Sequence, residues 1–238
     1  MRDSVLYRAD SIGYHERVLK QIINNYRVRV KNAPLEVHKD HDFLDNLNSE
    51  SLFIFDDIIF HAVSLFDYLA SFLAYPYLGD VAQQVTWNWN SLVKYSQENH
   101  VRNENEKSIP INDSQFSKMV CEYNDAFIDR LQKYRGFVYH SSIDSAGCKV
   151  NIDIMHESQK NTSDVFVNAP KKFYSIFESD FSGENREEIS IVDIASWVYA
   201  NSVSIAIDLV AYFQKDVATH FPPDIKKFNE FLQNSLRR

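Results

Sequence analysis

The chain is poor in the residues that break or bend a backbone, with 5 glycines and 6 prolines in 238 residues. Phosphate-cradling loops need two or three glycines within about six residues. The closest pair here, Gly136 and Gly147, is far wider than that, which excludes a dinucleotide-binding fingerprint and a P-loop. β-Meanders and sandwiches need a turn signal about every 8 to 12 residues, so the long stretches between breakers predict an all-α chain. Cysteine is equally scarce. Cys121 and Cys148 stand without CxxC spacing, which excludes a zinc ribbon and a thioredoxin motif and fits two plain thiols in a reducing compartment.

An excess of positive charge is also missing. Lys and Arg number 25 against 33 Asp and Glu, a net charge of −8. The chain therefore lacks the general electrostatic footprint of a nucleic-acid binder, and an anionic ligand must be caught locally. The apolar run Ile194–Ile207 is closed by Asp193 and Asp208 and falls short of the roughly 20 residues of a membrane helix. The opening MRDSVLYRADSIGYHERVLK mixes acids and bases where a secretory signal has an apolar centre. These features predict a soluble, cytoplasmic chain with no membrane contact.

What is present is the composition of a globular domain, 45% hydrophobic, 14% aromatic and 24% charged. No Gly/Ser- or Pro-rich linker divides it, so one unit is expected. Residues 1–49 would be an N-terminal helix and loop packed on a bundle formed by 50–238. The first helix is expected over 4–30, weakest at Gly13, before a loop through Pro34 and HKDHDFLDNLNSE. From Ser51, Leu52, Phe55, Ile59, Ala62, Val63, Phe66, Leu69 and Leu73 recur at spacings of three and four, the pattern of a core-facing helix ending near Pro76 and Gly79.

A third helix is expected over 85–99, with Trp87, Leu92 and Tyr95 inward, followed by a disordered HVRNENEKSIP. Asp113 or Ser114 would cap the next helix, whose stripe is Phe116, Met119, Val120, Tyr123, Phe127, Leu131, Tyr134 and Val138. Alternation at Val150, Ile152 and Ile154, then Val165 and Val167, predicts a β-hairpin with its tip near Lys160. The last strong helix is expected over 189–216, with Ile191, Ile194, Ala195, Val198, Ile205, Leu209 and Phe213 inward. A short terminal helix would start at Pro222 and Pro223. The sum is an up-and-down helical bundle with a small inserted β-hairpin.

Three constellations have chemistry. His38 and His41, with Asp40 and Asp42, have a spacing that suits a transition metal, but no third ligand follows. Asp57 and His61 lie one helical turn apart. No Glu-x-x-His pair, HExxH or GxSxG is present, so di-iron, zincin and nucleophile-elbow chemistry have no sequence support. The third is Arg135-Gly136-Phe137-Val138-Tyr139-His140. Arginine supplies a bidentate phosphate fork, and histidine can take or return a proton, which together suffice for RNA cleavage by its own 2′-hydroxyl without metal or other cofactor. On a wheel of about 100° per residue from Phe127, Arg135 falls near 80° and His140 near 220°, with the core stripe near 10°. His140 thus points away from the core, toward solvent or another subunit.

The helix LFIFDDIIFHAVSLFDYLASFLAYPYLG followed by AFIDRLQKYRGFVYHSS, which ends in R-x4-H, resembles the HEPN superfamily of small helical bundles with an R-x4-6-H motif. Ser64 and Asp67 look like the polar pair of that family's first helix, and the resemblance covers residues 50–216. Active members are metal-independent endoribonucleases working as dimers, often in toxin–antitoxin or phage-defence systems. The resemblance therefore implies a homodimer, RNA as substrate, a cognate antitoxin or nucleotidyltransferase as partner, and catalysis by Arg135 and His140. Arg130, Lys133, Tyr134 and Tyr139 would bind nucleic acid by charge and base stacking. Two departures stand out: Gly136 replaces a commonly polar residue, and Arg8 with His15 also fits the spacing, in a helix where the family does not carry the motif. The competing readings are a non-catalytic interaction or nucleotide-binding module and, more distantly, a metal-dependent enzyme using His38, His41 or His61.

Overall fold

In a computed structural model of the chain, residues 2–32, 42–78, 88–97, 115–140, 144–152, 163–181 and 184–220 are described. The elements, in order, are α1 (Arg2–Asn32), α2 (Phe43–Leu78), α3 (Trp89–Ser96) and α4 (Gln115–Tyr123). A π-turn (Asn124–Ile128) joins α4 to α5 (Asp129–His140). Strands β1 (Cys148–Ile152) and β2 (Ser163–Val167) follow, then α6 (Lys171–Phe177), 3-10 turns at Glu178–Phe181 and Arg186–Glu188, and α7 (Ile191–His220). The chain is mostly helical, as expected, with one antiparallel hairpin in the register Cys148↔Val167 to Ile152↔Ser163. The expected tip near Lys160, the segment HVRNENEKSIP and the helix from Pro222 lie outside the described residues.

These residues divide into two compact units. The larger comprises Asp3–Leu65 and Phe127–Ser202. Its centre is aromatic: Phe173 meets Phe55 at 5.2 Å, Tyr134 at 5.1 Å and Phe177 at 4.6 Å between ring centroids. Trp197 of α7 adds edge contacts to Phe127 and Phe177. Gly13 belongs to this unit and is a crossing point rather than a weak point, because a Cβ there would lie 3.1 Å from the Tyr199 ring. Close by, buried Glu16 accepts a hydrogen bond from Ser196 at 2.7 Å, tying α1 to α7.

The smaller unit contains Phe66–Ala126 and the chain from Val203. Asn88 caps α3 by accepting from the Ser91 N–H at 2.9 Å, and Asp67 accepts the next free donor, the Trp89 N–H, at 3.1 Å. Within that helix Trp89, Leu92, Val93 and Ser96 are buried and Tyr95 is only half-buried; Trp87 lies outside the described residues. The Trp89 indole donates to Asn124 Oδ1 at 3.0 Å and packs edge-on against Phe66.

Two boundaries differ from the sequence reading. Helix α2 starts at Phe43 instead of Ser51, because Phe43 and Leu47 bury one face of an otherwise polar segment, so the boundary at 49/50 falls inside a helix. The stripe of α4 and α5 also shifts. Met119, Tyr123 and Val138 are half-buried, while Ser117 and Ile128 are buried. The wide π-turn absorbs one residue and rotates Ile128 into the apolar face. In α7, Ser190 Oγ accepts from the Asp193 N–H at 3.0 Å and fixes the start of the helix. Ile191–Tyr212 is long and apolar enough to cross a membrane by length and composition, with a mean hydropathy of 1.4. That span extends beyond the aspartate-bounded run, and it also carries core positions Ile191, Ile194, Ala195, Val198, Ile205 and Leu209.

Candidate active site on helix α5

Leu131 and Tyr134 anchor α5 in the core of the larger unit. Arg135 follows Tyr134 directly and is half-buried, its guanidinium carbon 5.9 Å from the centroid of the Phe60 ring on α2. Gly136 continues a regular helix, and a Cβ at that position would meet nothing within 4 Å. The glycine therefore neither ends α5 nor makes room for a neighbour. Tyr139 is 82% exposed and His140 is exposed in the last turn, their rings edge to face at 5.1 Å.

The flanking residues expected to bind nucleic acid are differently employed. Tyr134 is fully buried and offers no face to a base; it sits among Phe55, Phe137 and Phe173. Arg130 grips Asp180 through both guanidinium nitrogens, at 2.5 and 3.2 Å, and lies 4.7 Å over Phe177. Lys133 pairs with Asp129 one turn earlier at 2.6 Å, on the surface. Of the two polar residues of α2, Ser64 is buried in the larger unit, whereas Asp67 caps α3 in the smaller. His38, Asp40 and His41 lie outside the described residues, and among the described residues no group of three His, Cys, Asp or Glu side chains is placed to hold a metal. Both cysteines are free thiols.

Beside the buried Tyr134 of this helix is a half-buried acid that sequence patterning did not single out. Asp56 is pushed up to about 7 by burial and then by the charges of Asp144 and Asp57. One of its oxygens is buried with no hydrogen-bond partner among the described residues. Tyr134 is also held well above its ordinary value, by burial first and then by Asp56 and Asp144. Asp144 itself accepts from the N–H groups of Lys172 at 2.8 Å and Phe173 at 3.2 Å, so its charge is used as the cap of α6.

This gives a pH prediction. Between about 4 and about 7, the folded chain keeps a proton on Asp56 that the unfolded chain, titrating near 3.8, has released. Raising the pH through that window therefore weakens folding. Allowing for solvent screening at a partly accessible carboxyl, the loss is about 1–2 kcal/mol. Asp56→Asn should remove this component, so that the variant gains stability over the parent as pH rises from 5 to 8 in urea unfolding. A parent-to-variant difference independent of pH would refute it.

The chain matches no protein-family model, no curated protein and no solved structure. Its functional reading rests on the residues themselves.

Proposed function

We propose that the chain is a HEPN-like, metal-independent endoribonuclease acting as a homodimer, with His140 as general acid or base and Arg135 stabilising the charge that develops on the phosphate. The carrying observation is the divergence of the two side chains. Five residues of α-helix separate them by about 7.5 Å of rise and about 140° of rotation. Arg135 leans over Phe60 while His140 faces outward. A phosphate that needs both groups is therefore better served by Arg135 of one chain and His140 of a second. Exposed Tyr139 beside His140 adds a ring on which a base can stack.

The reaction expected is attack of the ribose 2′-oxygen on the adjacent phosphorus, with departure of the 5′-oxygen. The test is incubation of purified protein with end-labelled single-stranded RNA in EDTA. Fragments ending in 2′,3′-cyclic phosphate support the proposal. Uncut RNA sinks it in favour of a non-catalytic interaction or nucleotide-binding module, and cleavage that EDTA abolishes points to metal-dependent chemistry instead.

A further inference from the structure

Helices α1 and α2 run antiparallel within the larger unit. Toward one end Tyr7 and Arg8 lie against His61, with Arg8 Nη1 donating to His61 Nδ1 at 2.8 Å, and toward the other Tyr26 packs edge-on against Phe43 at 5.0 Å. Stepping along both helices from these contacts puts Asp10 level with Phe60 and Arg17, two turns on, level with Phe53. His15 Nε2, 3.8 Å from Asp57, fits the same register.

The outer faces of the two helices repeat one spacing. Asp10, Tyr14 and Arg17 on α1, and Phe53, Asp57 and Phe60 on α2, each stand at i, i+4 and i+7, so each triplet lies on one side of its helix. All six are exposed, and the rings conspicuously so: Phe53 is 61% exposed, Tyr14 56% and Phe60 47%. The Arg8 guanidinium carbon lies 5.5 Å from the Tyr7 ring centroid and 5.4 Å from that of Phe60, which joins the two faces into one surface. Clustered rings of this kind facing water mark a contact surface.

We infer that this surface is the contact between two copies of the chain, paired about a two-fold axis that crosses α1 and α2 midway between the two levels. Asp10 of each copy then meets Arg17 of the other, and Phe60 of each meets Phe53 of the other. The two Tyr14 rings come together close to the axis. Charges on one helix and rings on the other are matched by a single rotation, the self-complementarity that an isologous contact requires. The exposed parts of the three rings amount to roughly 250–400 Å². Two copies meeting would bury about twice that, enough for the apolar core of a standard interface of about 1,600 Å². One contact opposes association, because the same register sets Asp57 close to its own copy. This surface rests on the homodimer of the proposed nuclease and assigns its seam. Phe60, 5.9 Å from the Arg135 guanidinium carbon, puts that arginine at the margin.

Sedimentation velocity on the full chain over a concentration series tests the contact, and it reads association without reference to RNA. The parent should dimerise. Asp10→Arg and Arg17→Asp should each weaken dimerisation about tenfold or more, since each sets like charges opposite one another twice. Mixing the two single variants should restore it, because one chain then presents only arginines to the aspartates of the other, and the double variant should dimerise as the parent does. Phe53→Ser, a change at an exposed ring, should weaken dimerisation at least about fivefold. Asp57→Asn should tighten it about threefold by removing the like-charge contact. A monomeric parent overturns the inference, as do parental dimerisation by Asp10→Arg, Arg17→Asp and Phe53→Ser, failure of both the mixture and the double variant to regain dimers, or an Asp57→Asn dimer no tighter than the parent. A dimer that responds as expected but leaves RNA uncut in EDTA sinks the nuclease reading and leaves this one standing; a dimer insensitive to these variants that cuts RNA does the reverse.

Discussion

His140→Ala is expected to lower the single-turnover rate of RNA cleavage by about 10²–10⁴-fold, the usual contribution of a general acid or base. The imidazole is exposed at the end of α5, so its removal leaves the buried Leu131 and Tyr134 of the same helix untouched and stability should not change. The dimer makes the prediction sharper. If Arg135 and His140 of different chains share one phosphate, an inactive Arg135→Ala chain and an inactive His140→Ala chain should complement each other when mixed. Half of the dimers would be mixed and each would keep one intact site, restoring about a quarter of parental activity. Zero recovery would return both residues to a single chain, and parental activity in His140→Ala would transfer proton transfer to another group.

Much of the helical framework was legible because it is written locally. Every residue of the stripe from Leu52 to Leu73 is buried, since the 3.6-residue period puts them on one side of α2 whatever they meet there. The same holds for Ile191, Ile194, Ala195, Val198, Ile205 and Leu209 in α7. Helix α6 escaped the reading for the opposite reason. It has seven residues, only Phe173 and Phe177 are buried, and its capping carboxylate comes from Asp144, which no local rule connects with it. The early start of α2 rests on just two apolar residues, Phe43 and Leu47, in a polar segment.

The candidate site divides in the same way. Arg135 and His140 share one helix, so their divergence follows from the helical pitch and was readable. Tyr134 occupies a stripe position three after Leu131, and its burial was implicit in that spacing; its hydroxyl does not make it a surface residue. Arg130 spends its charge on Asp180, fifty residues away in sequence, and Arg8 meets His61 at a separation of 53. Pairings at such distances depend on how helices cross, which spacing within one helix does not encode. The motif-like match of Arg8 and His15 thus has a structural counterpart, but its partner is a histidine on another helix.

Phe173→Ala is expected to destabilise the chain by about 3–5 kcal/mol, read as a lower urea midpoint with an unchanged slope. The ring is fully buried and touches Phe55 of α2, Tyr134 of α5 and Phe177 of its own helix, so its loss opens a cavity bounded by three helices. Edge-to-face contacts of this kind add about 0.5–1.5 kcal/mol beyond area burial. The half-buried neighbour Tyr174, which donates to the Glu184 carbonyl at 2.9 Å, should cost far less on truncation to alanine. A loss below about 1.5 kcal/mol would mean that the three helices close over the gap. The consequence reaches the site, because Tyr134 is the residue before Arg135 and its packing on Phe173 sets the rotation of α5. Loosening that anchor should therefore depress cleavage more than the fall in folded fraction accounts for, whereas an equal fall would place the orientation of Arg135 in the helix itself and its contact with Phe60.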